Sequence, residues 1–173
     1  MYRGLRVSMP AQAIVVSGES AGGGLTLALL VALRDAGESL PAAAALFSPW
    51  TDMAFTGDSA RTNNRRCAML DADTSRKAAA WYLGNADARN PLASPVYADL
   101  AGLPPLLIHV GENELLLDDS TRLAHRAGVD CHLKIWPVVP HAWQLFQWLP
   151  EAQQSLDEAA AFLRAVALRS DRG

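Results

Sequence analysis

The chain has 173 residues, of which 50% are hydrophobic and 19% are charged, and its formal net charge at pH 7 is −3. This length is typical of a single domain, and the apolar content excludes a disordered chain. No apolar run approaches the roughly 20 residues that cross a bilayer, so no membrane partner is expected. The slight acidity leaves no broad basic surface for nucleic acid, and the expected partner is a small molecule.

The cysteine usage and the first residues predict a cytoplasmic protein. Cys67 and Cys131 lie far apart without a C-x-x-C pattern, which indicates packing thiols in a reducing compartment. Residues 1–10 lack the apolar core of a signal peptide. No H-E-x-x-H or comparable ligand spacing occurs, and we expect neither a metal ion nor another cofactor.

Short apolar runs alternate with helical patterns, which predicts an α/β fold with a mostly parallel sheet covered on both faces. Three of the four runs lack polar alternation and are predicted to be buried on both faces. The predicted strands are residues 13–17, 43–48, 106–110 and 131–136, and the predicted helices are residues 21–35, 74–83, 118–127 and 151–168. The first helix is apolar on almost every side, so we expect it to be fully buried and to end near Gly37.

A long polar stretch, residues 51–98, separates the second and third strands. A structureless loop of this length is unusual in a compact domain, which predicts a cap-like excursion over residues 52–98 with a helix of its own. We expect Asp71 or Asp73 to cap that helix and Gly84 to end it. Residues 1–173 would then form one domain that includes the excursion.

The sequence Gly-Glu-Ser-Ala-Gly-Gly at residues 18–23 follows the first predicted strand directly and opens the first helix. A G-x-S-x-G match alone arises by chance in about 5–10% of chains of this length. The strand–turn–helix setting is, however, that of a nucleophile elbow. Gly18 and Gly22 would let the backbone turn sharply and expose Ser20, while the N–H of Ala21 and the helix dipole would stabilise an oxyanion.

A serine nucleophile needs a base, because its hydroxyl reacts poorly at neutral pH. Of the four histidines, His109, His125 and His132 fall within or near predicted strands and helices, and we expect them to be structural or solvated. His141 follows the last strand in a loop, at the sheet edge where open α/β sheets bind ligands. His141 is therefore the predicted base, and the alternative is a loop histidine without a role.

The base in turn needs a carboxylate that fixes its tautomer and stabilises the imidazolium. The candidates lie just after the third strand: Glu114 on the loop, and Asp118 and Asp119 in the first turn of the next helix. The two aspartates have an alternative use as helix caps. The chain order serine, acid, histidine is the order of the α/β-hydrolases.

Five segments together resemble the hormone-sensitive-lipase-like bacterial carboxylesterases, family IV, of the α/β-hydrolase fold. They are G-E-S-A-G-G at 18–23, S-P-W-T-D at 48–52, N-P-L-A-S-P-V-Y-A-D-L at 90–100, L-P-P-L-L-I at 103–108 and W-P-V-V-P-H at 136–141. The resemblance implies a partial α/β-hydrolase fold with about four strands. It also implies hydrolysis of short-chain acyl esters through an acyl-enzyme on Ser20, with His141 as general base and then acid. Glu114 matches the first acidic residue of the family's D-x-L-x-D pattern, and Asp118 the second.

The sequence departs from the family pattern at several positions. Most members carry Asp where this chain has Glu19, Gly where it has Val138 and an acidic residue where it has Cys67. No His-Gly-Gly-Gly segment, the family's main source of oxyanion-hole N–H groups, precedes Ser20. Because one such donor contributes about 10² to 10³ in kcat, the alternatives to an active esterase are an inactive fragment and a small-molecule binding module on the same fold.

Only 19 residues precede Ser20, so we expect the chain to be a C-terminal portion of the family's fold, with Met1 in doubt as the true start. The first strand would then have an unpaired outer edge, which invites pairing or aggregation. We therefore expect a homodimer, low solubility or association with an N-terminal half.

Four aromatic residues have two possible roles. Trp50, Trp81, Tyr82 and Trp143 are expected to pack in the core or the cap. The alternative is that they line a pocket for the acyl or alcohol group.

Overall fold

The computed structural model describes residues 1–126 and 128–170, and it contains a sheet of four parallel strands in the order β1-β2-β3-β4. The strands are β1 (Val15–Glu19), β2 (Ala43–Phe47), β3 (Leu106–Gly111) and β4 (Cys131–Trp136). The helices are α1 (Tyr2–Leu5), α2 (Ala21–Asp35), α3 (Ser59–Thr62), α4 (Ala72–Leu83), α5 (Leu117–His125) and α6 (Pro150–Ser170). Short 3-10 helices lie at Ala11–Ala13, Pro95–Tyr97 and Trp143–Leu145. The predicted α/β class with a parallel sheet is confirmed.

The first strand begins at Val15 rather than at residue 13, where the sequence predicted it. Residues Ala11–Ala13 instead form a 3-10 turn after Pro10, and the N–H of Ile14 donates to the carbonyl of Ala11 at 3.0 Å. The apolar letters of a 3-10 turn and a strand look alike in sequence, so the boundary was misplaced. Pairing with β2 then runs as far as Glu19, directly before Ser20.

Burial differs between the central and the outer strands. Every residue of β2 and β3 is buried, as the lack of polar alternation predicts. The same prediction is wrong for β1, where Val15 is 39% exposed. Within residues 1–126 and 128–170 no strand pairs with the outer side of β1, and this edge position accounts for the exposure.

Helix α2 covers one face of the sheet, where Leu27, Leu30 and Val31 join the core formed with β2 and β3. The prediction that α2 is fully buried is wrong, because Leu25 is 57% exposed and borders two surface cavities. The helix ends at Asp35, near Gly37 as predicted, and Gly37 has a φ of 66° in the left-handed region that favours glycine.

Helix α6 covers the opposite face, where Ala159 packs against Ala45, Phe47 and Leu107 of the sheet. Its observed start is one position before the predicted residue 151. Helix α5 ends at His125, and residue 127, the predicted end, lies outside the described residues. Across the two described ranges, α6 included, no helix has the length and hydropathy needed to span a bilayer.

The excursion between β2 and β3 contains the predicted helix, α4. It begins at Ala72, two positions before the predicted residue 74, because Asp71 caps it by accepting a hydrogen bond from the N–H of Thr74 at 2.8 Å. Gly84, with a φ of 54°, ends it. Cys67, in the same excursion, and Cys131, in β4, are both free thiols, and burial raises the pKa of Cys131 to about 11.

Two aspartates of α5 hold the start of this excursion. Asp119 accepts hydrogen bonds from the backbone N–H groups of Thr51 and Asp52 at 2.6 and 2.8 Å, and Asp118 accepts one from the N–H of Ser59 at 2.9 Å. The sequence offered these two side chains as caps of α5, and that interpretation is wrong, because both carboxylates accept from the excursion, and the side chain that accepts from the first turn of α5 is Ser59, whose Oγ lies 3.0 Å from the N of Asp118. They fix residues 51–59 against α5 instead.

Asp119 is buried beside a second carboxylate, that of Asp52. Although burial opposes ionisation, hydrogen bonds from Thr56 and Arg122 keep the pKa of Asp52 below its usual value. Burial raises the pKa of Asp119 from 3.8 to about 7, and the neighbouring charge of Asp52 adds to that effect against the two backbone hydrogen bonds. Asp119 is thus costly to ionise in the folded protein.

This raised pKa predicts a pH-dependent contribution to stability. Because the folded state holds the Asp119 proton more tightly than the unfolded state, the contribution is fully present below pH 3.8 and is lost as pH rises to about 7. The loss is at most about 4 kcal/mol. Urea unfolding at several pH values should show wild type losing free energy of unfolding relative to Asp119→Asn between pH 4 and pH 7.

The exposed Asp73→Asn variant is the matched control, and its difference from wild type should not change in this way. A difference between wild type and Asp119→Asn that stays constant over the same pH range would contradict the account.

Candidate active site

Ser20 lies on a sharp turn between β1 and α2. Its φ is 54°, a left-handed value that costs a non-glycine residue about 1–3 kcal/mol. The surrounding hydrogen bonds enforce this conformation, since the N–H of Ser20 donates to the carbonyl of Phe47 at 2.9 Å and its carbonyl accepts from the N–H of Trp50 at 2.8 Å. A strained serine on a strand-to-helix turn has the form of a nucleophile elbow.

The glycines around Ser20 permit close backbone packing. A Cβ at Gly18 would collide with the carbonyl oxygen of Gly22, and a Cβ at Gly24 with the carbonyl oxygen of Trp50. Apart from its chain neighbours and the backbone of its own helix, no atom of the described residues lies within 4 Å of the place where a Cβ of Gly22 would be. The predicted need for a small side chain therefore holds at Gly18 and not at Gly22, whereas the need at Gly24 was missed.

His141 joins Ser20 to Glu114. Its Nε2 lies 2.8 Å from Ser20 Oγ, and its Nδ1 lies 2.6 Å from Glu114 Oε2. All three residues lie at the ends of parallel strands, which meet at one edge of the sheet. The structure thus brings together the serine, the histidine and one of the carboxylates that the sequence left open.

Glu114 is almost completely buried and is held by donors from three directions. Its Oε1 accepts from Ser48 Oγ at 2.7 Å and from the N–H of Gly111 at 2.6 Å, while its Oε2 faces His141. These three contacts give both oxygens of the buried carboxylate a hydrogen-bond partner and fix its orientation. Ser48 was not predicted as a site residue, although it begins the S-P-W-T-D segment at the end of β2.

Asp118 and Asp119 do not bond to His141. Their carboxylates accept hydrogen bonds from residues 51–59, as described above. Their proximity to Glu114 in sequence made them candidates. Because α5 turns them away from the loop that carries His141, they form an anchor for the excursion and not a part of the serine–histidine pair.

The other histidines have environments of the expected kinds. His109 is buried in β3 and bonds to Ser155, His125 is the last residue of α5, and His132 is exposed beside Asp130. In the part of the chain that the structure describes, no group of three or more His, Cys, Asp or Glu side chains is arranged to hold a metal ion.

Two departures from the family pattern lie beside His141. Glu19 Oε1 is 3.9 Å from His141 Nε2, so a second carboxylate borders the histidine. Val138 is 83% exposed and has a φ of 49°. That value explains why glycine suits the position, since a β-branched residue adopts it only with strain.

An apolar cavity of about 200 Å³ lies next to Ala21, the residue that follows Ser20. The first residue of α2, Ala21, borders it together with Trp50, Met53, Ala79 and Tyr82. Of the aromatic residues considered from sequence, Trp50 and Tyr82 therefore line a pocket. Trp143 is buried in a separate apolar cluster, and Trp81 is exposed on α4.

A family model described as the alpha/beta hydrolase fold matches residues 4–145. The chain belongs to this family. An acetyl-hydrolase of Streptomyces hygroscopicus is 45% identical to this alpha/beta hydrolase chain over 166 residues. The match covers 94% of this chain and 56% of the acetyl-hydrolase. An esterase of Acinetobacter venetianus is 37% identical over 160 residues, and the match covers 90% of this chain and 53% of the esterase. The chain thus spans about half the length of the curated relatives it matches.

Solved structures agree with this assignment. An esterase/lipase from an uncultured bacterium matches with a TM-score of 0.92 and 45% identity, over 96% of this chain and 58% of its own. A hormone-sensitive lipase from a metagenome library matches with a TM-score of 0.92 and 40% identity, over 95% and 58%. The resemblance carried by the five sequence segments is confirmed, and the four-stranded sheet is part of a larger alpha/beta hydrolase fold in these neighbours.

The elbow glycines give a stability test. Gly24→Ala should lower the free energy of unfolding by about 1–3 kcal/mol, because its Cβ collides with the Trp50 carbonyl. Gly22→Ala is the matched control within the same motif, and it should be neutral or stabilising by up to about 1 kcal/mol because the added methyl group meets open space. Thermal and urea unfolding measure both, and equal stability of the two variants would refute the packing argument.

Proposed function

We propose that the protein is a carboxylic ester hydrolase acting on short-chain acyl esters through an acyl-enzyme on Ser20. The observation that carries the proposal is the continuous contact from Ser20 Oγ to His141 Nε2 and from His141 Nδ1 to Glu114 Oε2, at 2.8 and 2.6 Å. Such a relay activates a serine hydroxyl at neutral pH. The similarity to proteins named esterases and acetyl-hydrolases supports the same reaction class.

The proposed reaction begins when His141 Nε2 accepts the hydroxyl proton as Ser20 Oγ attacks the ester carbonyl carbon. Glu114 stabilises the resulting imidazolium through its hydrogen bond to Nδ1. The proton then passes to the departing alcohol, the C–O bond to that alcohol breaks, and the acyl group remains on Ser20. A water molecule, deprotonated by His141, releases the carboxylic acid by the reverse sequence.

The oxyanion of the tetrahedral intermediate needs hydrogen-bond donors. Ala21 is the first residue of α2 and borders the apolar cavity. Its N–H and the positive end of the helix dipole are suited to that oxygen. We therefore assign Ala21 as one oxyanion donor.

The shape of the cavity supports a small apolar substrate group. Its volume of about 200 Å³ is below the roughly 300–1,000 Å³ of pockets that hold drug-sized ligands. Alanine and aromatic side chains line it, including Ala79 and Trp50. Such a pocket accepts a few methylene groups and offers no charged partner, which favours short neutral esters.

Loss of the nucleophile gives the direct test. Ser20→Ala should lower the hydrolysis of p-nitrophenyl acetate and butyrate by at least about 10³-fold, and a fluorophosphonate probe should label wild type but not the variant. Ser17→Ala changes an exposed serine of β1, the strand before Ser20; it is the control and should retain activity. A wild-type chain that neither turns over ester nor reacts with the probe would refute the proposal and support the inactive-fragment alternative.

Substitution of the two acidic candidates separates their roles. Glu114→Gln should lower kcat about 10⁴-fold, because an amide cannot hold His141 in the required tautomer or stabilise its charged form. Asp118→Asn should leave kcat within about threefold of wild type, since Asp118 bonds to Ser59 and not to His141. Ester kinetics with circular dichroism as a folding check measure both, and a larger loss in Asp118→Asn would assign the acid to Asp118.

A further inference from the structure

A chain of buried polar side chains connects β3 to the turn that carries His141. His109 Nδ1 lies 2.8 Å from Ser155 Oγ of α6, and Ser155 Oγ lies 2.8 Å from Nε2 of Gln144. All three side chains are buried. Gln144 is three positions after His141, in the short 3-10 helix Trp143–Leu145. None of these three residues takes part in the proposed reaction.

Ser155 Oγ lies in the middle of this chain of hydrogen bonds. The amide nitrogen of Gln144 can only donate, so it donates to Ser155 Oγ. The hydroxyl of Ser155 keeps a proton and a second lone pair, so it bonds to His109 Nδ1 with either tautomer of the ring. Burial lowers the pKa of His109 to about 4, which keeps the ring neutral at pH 7. The ring's other nitrogen, Nε2, faces Glu158 Oε2 at 3.8 Å.

The turn after His141 needs such support. Ala142 has a φ of 54°, which an alanine adopts only when its surroundings hold it there. Two side chains of the following 3-10 helix attach it to α6: Trp143 Nε1 donates to the carbonyl of Glu151 at 3.2 Å, and Gln144 donates to Ser155. Only the second of these bonds continues to the sheet, through His109.

Strand β3 thereby supports both partners of the 2.6 Å contact between histidine and carboxylate. Its last residue, Gly111, donates a backbone hydrogen bond to Glu114, and His109, two positions earlier, supports the His141 turn through α6. The same fully buried strand thus bonds to Glu114 directly and to the turn after His141 through Ser155.

We infer that His109, Ser155 and Gln144 are positioning residues for His141. The inference rests on the proposed function, since positioning matters to catalysis only if His141 acts as the base. The three residues do not touch the substrate. They hold Nε2 of His141 within hydrogen-bonding reach of Ser20, so breaking any link should slow the reaction without weakening substrate binding.

The kinetic test breaks the chain at two different links. Ser155→Ala and Gln144→Met should each lower kcat by about 10- to 100-fold with KM within about twofold of wild type, because small misplacements of a catalytic group are costly. The double variant should lose no more than the larger single loss, since one break already disconnects the turn. Ser120→Ala is the matched control: its serine is fully buried, and its hydroxyl has no hydrogen-bond partner within residues 1–126 and 128–170.

A kcat of Ser155→Ala within twofold of the Ser120→Ala value would overturn the inference, as would losses that multiply in the double variant. Loss of stability alone, without the kcat effect, would mean that the chain only fastens α6 to the sheet.

A second measurement does not depend on turnover. The imidazole N–H proton between His141 and Glu114 should give a low-field proton NMR resonance, identified by its loss in Glu114→Gln. We expect Ser155→Ala to broaden or shift this resonance while Ser120→Ala leaves it in place. An unchanged resonance overturns the positioning role. Absence of ester turnover in wild type, with the resonance still altered in Ser155→Ala, would instead refute the proposed function and leave the positioning of His141 standing.

Discussion

The buried carboxylate of Glu114 is the constraint on which the site depends. Its three donors come from the end of β2, the end of β3 and the loop after β4, through Ser48, Gly111 and His141. A buried negative charge is tolerated only when such partners surround it, because burial otherwise favours the neutral acid. The geometry of the histidine therefore follows from the register of three neighbouring parallel strands, and a shift in any one of them would remove one of the three hydrogen bonds to the carboxylate.

The serine side of the site depends on close packing instead of charge. Ser20 keeps an unfavourable φ because its N–H bonds to the end of β2 and its carbonyl bonds to Trp50. That arrangement requires the loop after β2 to lie against α2, and Gly24 provides the space. The strained backbone of Ser20 therefore depends on the missing side chain at Gly24, because both require Trp50 to lie against the start of α2.

Much of the fold and of the candidate site could be predicted from the sequence, and the features that could not be predicted have physical causes. The unbroken apolar runs predicted the two central strands, β2 and β3, and the glycines around Ser20 and the loop position of His141 made these two residues candidates for the site, where the structure places them 2.8 Å apart. The choice of Glu114 over Asp118 could not be made from spacing, because it depends on which way the first turn of α5 faces. The contribution of Ser48 was hidden for a similar reason, since a serine at a strand end has no pattern that distinguishes a donor to a distant carboxylate. The exposure of β1 and Leu25 could not be predicted either, because their burial depends on what packs outside the edge strand.

The attachment of the excursion to α5 has a consequence for how this fold can change. Asp118 and Asp119 fix only its first residues, up to Ser59, and the cavity wall formed by α4 begins beyond that anchor. Glu114 lies on the loop that leads into α5, directly before the anchor, so the candidate site and the start of the excursion share one support. Helix α4 lies beyond Asn63, whose side chain donates to the carbonyls of Glu112 and Glu114, so substitutions on α4 reshape the cavity without changing the contacts among Ser20, His141 and Glu114.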